Sequence, residues 1–245
     1  MKDKLAKLEY IVSTGLFAIL AVVFFFVLIN SLVENTIYMC NPRTGVGFTI
    51  YKTGNYMGLF AGFIAYVLFL GLLLLPRVRH NMDWFMRFTH ELTHTLVALL
   101  FFGKIREFVV RDRECYVSYL TGPIGYVPIT LSPYCVPIYT FMLFPFRFAG
   151  DSHYMIVFDF LIAFSYAFHI HSYIKQTRLS QPDIANCGKL RSVAFIVLVN
   201  IWVLSLVLAT PRGGVVNALC RVCYEYPINL LTNPLGWFHD IIRYF

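Results

Sequence analysis

The chain has 245 residues, is 58% hydrophobic and only 13% charged, and carries a formal net charge of +7 with a mean hydropathy of +0.66. Soluble domains carry about 25% charged residues, so this balance excludes an ordinary water-soluble globular fold. Lys and Arg fall between the apolar stretches, with no basic stripe in a soluble region, so the charge suits lipid phosphates and implies no nucleic acid partner.

Apolar stretches cover roughly 10–33, 56–75, 84–103, 122–146, 153–174 and 192–210. Each approaches the ~20 residues that cross a bilayer core. The expectation is an all-α polytopic membrane protein of about six transmembrane helices. It forms one integral domain over 1–245, multi-pass in the cell membrane. Lys2, Lys4 and Lys7 precede the first stretch as in a signal peptide, but its apolar run is too long and no small-x-small site follows. It reads as an anchor. The 34–55 linker, with Asn41-Pro42, Gly45, Gly47 and Gly54, reads as an exposed loop.

Pro76-Arg77-Val78-Arg79-His80 closes the second span, and a third helix begins near Asp83 and ends at Gly103, which reads as its C-cap. Lys104 through Val110 and Cys115 through Leu120 are β-branched or aromatic runs around the charged Arg111-Asp112-Arg113-Glu114. They predict a small membrane-associated β-hairpin. In 122–146, Gly122, Pro123, Gly125, Pro128, Pro133 and Pro137 interrupt any continuous helix. Such backbone is tolerated at membrane depth where protein or a water cavity satisfies it. A water cavity and a proline-kinked packing helix both fit. After the last span (192–210), the 211–245 tail reads as interfacial. Its Cys220-Arg221-Val222-Cys223 is a lone C-x-x-C, a local disulfide or two free thiols. Alternate loops hold nine and ten Lys or Arg, so charge does not orient the chain.

Within the third stretch lies His90-Glu91-Leu92-Thr93-His94. Four residues on a helix are about 400° of rotation and about 6 Å of rise, so both imidazoles leave one face and can bind one tetrahedral metal. Glu91 stands beside them, suited to take a proton from water and poorly placed as a third ligand. Two histidines and a glutamate among apolar neighbours are expensive and mark function.

A catalytic zinc takes three protein ligands. Of the seven aspartates, only Asp159 falls inside an apolar stretch, where an ionised carboxylate is costly unless paired or metal-bound. Asp159 is therefore the expected third ligand. The other reading is a bundle aspartate bonded to a Ser, Tyr or Arg. Asp183, in Gln181-Pro182-Asp183, is a weaker alternative that requires its loop to fold inward. His169 lies ten residues beyond Asp159, about 15 Å along a helix, so the two do not share one metal. With His171 it reads as interfacial, second to the ligands or gating. Arg87, one turn before His90, is a candidate substrate-binding group for a carbonyl, with pairing to Asp83 or snorkelling to headgroups as alternatives. Asn200 is a second candidate, able to donate to an oxyanion; a helix–helix hydrogen bond is the commoner use.

The pentapeptide on an apolar helix, followed by Phe102-Gly103-Lys104-Ile105 and a short hairpin, resembles the site-two protease family of intramembrane zinc metalloproteases. The likeness covers about 84–175, the metalloprotease-like core. The two N-terminal spans (10–33, 56–75), the last span and the tail lie outside it. In that family a later span supplies an aspartate as third ligand, usually in Leu-Asp-Gly or Asn-Pro-Asp-Gly; here Asp159 sits in Phe158-Asp159-Phe160.

The resemblance implies a zinc metalloendopeptidase that hydrolyses a peptide bond in or near a transmembrane segment. Zn2+ would be held by His90, His94 and Asp159, with Glu91 as the catalytic base. The implied partners are a membrane-protein substrate, the lipid bilayer and a regulatory membrane partner. No Gly-x-Ser-Gly or Gly-x-Gly-Asp supports a serine or aspartyl mechanism. The alternative class is an inactive zinc-binding scaffold or maturation factor. A transporter ranks last, because the polar groups concentrate on the third and fifth stretches.

Overall fold

The computed structural model describes residues 56–111, 114–149, 154–212 and 220–225, with positions 25, 29, 228, 232 and 233. The expected span 10–33, the 34–55 linker and most of the 211–245 tail lie outside these residues.

The described chain is mostly helical with one small sheet. In order come α1 (Met57–Leu72), α2 (Pro76–Leu100), β1 (Lys104–Val110), β2 (Cys115–Leu120), α3 (Pro123–Leu131), a 3-10 turn (Ser132–Tyr134), α4 (Ile138–Ala149), α5 (Met155–Gln176), α6 (Pro182–Cys187) and α7 (Lys189–Ala209). Residues 56–192 form one compact unit, which holds everything described below for the metal cluster. Residues 193–245 group with 1–55 in a second unit.

Two helices among the described residues, α5 and α7, are long and apolar enough to cross a membrane. Gly125–Tyr134 and Ile138–Phe148 qualify only as a pair bent by 89°. The expectation of six spans is thus met only in this coarser form. The HExxH helix, α2, has the length but not the composition, because Asp83, Arg87 and Glu91 share its apolar half with His90 and His94. α1 is apolar but only 16 residues long.

α1 and α5 run in the same direction in close contact. A Cβ on Gly58 would lie 2.6 Å from the Ile156 carbonyl oxygen, and one on Gly62 would lie 2.2 Å from that of Phe160. Only glycine lets the backbones approach this closely, the small-xxx-small solution for helices in lipid. Farther along, Tyr66 packs on Phe164, and its hydroxyl is 2.8 Å from His171 Nδ1. α4 runs opposite to α5, with Thr140 on Ser165 and Arg147 on Asp159.

α2 meets the C-terminal half of α5. Met82 and Met86 bury against Phe168, Lys175 pairs with Asp83, and His90 bonds to Gln176. The HExxH motif therefore faces the C-terminal half of α5.

α2 ends in a Schellman motif, with the Gly103 N–H on the Ala98 carbonyl and the Phe102 N–H on the Leu99 carbonyl. The left-handed residue is Phe102 (φ 57°), not Gly103 as the sequence suggested. Gly103 is needed for a different reason: a Cβ there would meet the Ala98 and Leu120 oxygens at 2.9 and 3.1 Å.

The hairpin forms as expected, antiparallel from Lys104 opposite Leu120 to Val110 opposite Cys115, with an irregularity between Ile105 and Glu107. Residues 112 and 113 of its turn lie outside the described ones. The proline-rich stretch is also broken as expected: α3 stops at Leu131, passes through the 3-10 turn and resumes as α4 at Ile138.

Candidate metal centre

Helical spacing places His90 and His94 on one face of α2, with ring centroids 5.0 Å apart and nearly perpendicular. Each ring is oriented by a bond at Nδ1. In His90, Nδ1 lies 3.1 Å from Gln176 Oε1, the last residue of α5. In His94, Nδ1 lies 2.8 Å from the Ile129 carbonyl oxygen. That carbonyl is available because the residue four positions on is Pro133, which has no N–H to donate. The Ser132 hydroxyl also donates to it, at 2.8 Å. With both Nδ1 atoms donating to oxygens, both Nε2 atoms carry lone pairs and face the same point.

The third group at that point is Asp183. Its Oδ2 lies 3.8 Å from both Nε2 atoms. These distances are too long for hydrogen bonds. They approach the ~3.3 Å edge of a tetrahedron with ligands about 2.0–2.1 Å from zinc. The donor atoms of His90, His94 and Asp183 all lie within 4.8 Å of one another, so the three could hold one metal ion. Two imidazoles and a carboxylate, with an oxygen partner behind each histidine, make a set of donors that could bind a metal ion. The histidine side chains are 13% and 7% exposed, but that of Asp183 is 32% exposed, so the cluster is open to solvent on the aspartate side.

Local chemistry folds the Asp183 loop inward. Gln181 precedes α6, Pro182 occupies its first turn, and Asp183 follows in the turn where a carboxylate is favoured. Ile184 is fully buried, and its carbonyl accepts a bond from the Ser192 hydroxyl. Gly188 (φ 86°) takes the left-handed conformation that lets α7 begin at once. The Tyr134 hydroxyl donates to Asp183 Oδ2 at 3.0 Å.

The expected third ligand, Asp159, requires correction. It is buried, and its Oδ1 and Oδ2 accept bonds from Arg147 Nε and Nη2 at 2.7 and 3.4 Å. The Arg147 guanidinium meets the cost of a carboxylate among apolar helices. Asp183, the weaker alternative, stands with the histidines instead. Sequence reasoning also missed Tyr134 and Gln176. Polar residues beside a helix end carry no distinctive spacing, and only the packing brings them to the cluster.

Glu91 is 8% exposed beside the histidines, with the Val117 backbone of β2 near its carboxylate. Arg87 lines a cavity of about 510 Å3 with His90, Glu91, Cys115, Lys175, Gln176, Arg178 and residues 180–182. Asn200 is in the second unit and donates to the Ile196 carbonyl one turn earlier, a bond within its own helix. His171 is held by Tyr66, and His169 lines a small polar cavity behind His90 with Thr93, Ser165 and Ser172. No protein-family model, curated protein or solved structure matches the chain.

Proposed function

We propose that the protein is a zinc-dependent endopeptidase acting on membrane-protein substrates, with His90, His94 and Asp183 as metal ligands and Glu91 as general base. The observation that carries this reading is the convergence of the three donor atoms within 4.8 Å on the face of α2 that also presents the buried Glu91.

Bound zinc supplies Lewis acidity, lowering the pKa of a water and polarising the scissile carbonyl. Glu91 takes the proton of the attacking water and returns it to the leaving amine. Gln176 and the Ile129 carbonyl keep the imidazoles in the tautomer that ligates through Nε2, and Tyr134 fixes Asp183. With the Val117 backbone near Glu91, β2 runs alongside the reacting groups. An unwound substrate segment adding to the edge of β2 would pass Glu91 with its carbonyls free of helix bonds. Arg87 lines the adjoining cavity, in position to hold such a carbonyl.

Depth follows from the bond between His90 and Gln176. Since Gln176 ends the 22-residue α5, the cluster belongs at one membrane boundary, where water reaches it without crossing the bilayer. Cleavage then falls at the end of a substrate span. Placement in a cell membrane by about six spans, and control by a regulatory membrane partner, are parts of the same proposal.

The test is metal analysis of protein purified without chelators, with Glu91→Gln assayed for cleavage of co-expressed membrane proteins. One zinc per chain is expected in both forms, with cleavage slowed by about 10²–10⁴-fold in the variant. Protein without stoichiometric metal, or a fully active Glu91→Gln, would replace this reading with a scaffold.

A further inference from the structure

The exposed side chains of α2 change character along its length. Arg77, Arg79, His80 and Asn81 are exposed in its first turns, Trp84 and Phe85 next, and Leu96, Leu99 and Leu100 in its last turns. Charged, then aromatic, then aliphatic is the order met on a path from water through the headgroup layer into acyl chains. The hairpin repeats it. β1 runs back along α2, with Ile105 packed on the cluster of Val97, Ala98 and Ile129 and Phe108 on Phe88. Its tip, where Arg111 and Glu114 are exposed, therefore lies toward the charged half of α2. Its base, where Leu120 is exposed opposite Lys104, lies beside the aliphatic end.

Phe102 stands at that end. It takes the left-handed conformation at φ 57°, which a residue without Cβ adopts freely, and it is 96% exposed. A phenyl ring that touches almost nothing in the chain cannot offset that strain by packing within it. Lys104 and Arg106 follow, both exposed, and among the described residues neither enters an ion pair. Glu107, the nearest carboxylate in sequence, stands nearer the tip. Apolar side chains with long-stemmed cations beside them suit a phospholipid surface, whose acyl chains take the former and whose phosphates take the latter.

We propose that the junction of α2 with the hairpin, formed by Leu99, Leu100, Phe102 and Leu120, is a shallow lipid anchor inserted just below the headgroups, with Lys104 and Arg106 on lipid phosphates. α2 is then a helix that enters the bilayer by one end and does not cross it, in keeping with its absence from the helices apolar enough to span. The anchor does not depend on the endopeptidase reading.

The test places the photoreactive aromatic p-benzoylphenylalanine at position 102, at 99 and, for comparison, at 79, in the whole chain in nanodiscs of phosphatidylcholine and phosphatidylglycerol. Thermal midpoints report the fold of each variant, and adducts formed on irradiation are identified by mass spectrometry. Positions 102 and 99 should give at least about tenfold more phospholipid adduct than position 79. Replacing Lys104 and Arg106 together with Gln should lower the share of phosphatidylglycerol among the adducts at 102 to its share in the nanodisc. Adducts at 102 and 99 to peptides of this chain or of a second copy, or phospholipid adducts no more abundant than at 79, would overturn the anchor. A phosphatidylglycerol share that never exceeds that of the nanodisc would overturn the role of the two cations.

Discussion

Replacing Asp159 with Asn removes the negative charge that neutralises Arg147 between α4 and α5. Both side chains are nearly fully buried, at 3% and 4% exposure, so water cannot take over the carboxylate's role. Breaking one side of a buried ion pair costs about 3–5 kcal/mol, because the remaining charge stays desolvated. Asn retains an oxygen able to accept the 2.7 Å bond from Nε, which places the expected loss near the lower end. At about 2 °C or more per kcal/mol, the thermal midpoint in detergent should fall by at least about 6 °C. Zinc content should stay at one per chain, since neither residue belongs to the cluster of His90, His94 and Asp183. Asp183→Asn should behave oppositely, losing zinc under dialysis while keeping most of the fold. Replacing the pair together, as Arg147→Met with Asp159→Leu, should recover much of the lost stability, because no unpaired charge remains. Stoichiometric zinc in Asp183→Asn, with zinc lost from a folded Asp159→Asn, would refute the assignment.

Gln176→Ala removes the acceptor that orients His90 and should weaken zinc binding about 10–100-fold, read by competition with a chelator. Pro133→Ala restores an N–H able to compete for the Ile129 carbonyl; zinc affinity should fall as His94 loses its fixed orientation, and unchanged affinity would show that the proline matters only for the bend. Phe102→Gly should stabilise the metal-free protein by about 1 kcal/mol, because a left-handed residue without Cβ carries no strain. Gly62→Ala should lower the thermal midpoint, since its Cβ would meet the Phe160 carbonyl oxygen at 2.2 Å; an unchanged midpoint would mean that α1 is not packed as described.

What the sequence by itself determined is local or periodic. Apolar length marked α5 and α7, β-branched and aromatic runs around a charged turn marked the hairpin, and four-residue spacing put His90 and His94 on one face. The prolines of 122–146 announced a broken helix because a missing N–H acts on its own turn. Gly103 marked the end of α2, but only the structure shows that Phe102 takes the left-handed conformation while Gly103 is needed for the close approach of Ala98 and Leu120. The third ligand could not be read this way. The cost of a buried carboxylate correctly demanded a partner for Asp159, but cost does not say whether that partner is a metal or a guanidinium twelve residues earlier. That choice required α4 to fold back against α5 and bring Arg147 into reach. Likewise Gln176, Tyr134 and Asp183 stand 86, 44 and 93 residues from their neighbour His90. Only the meeting of helix ends at the C-terminus of α5 brings them together, because a metal centre needs donors converging from several directions and one helix face supplies only two.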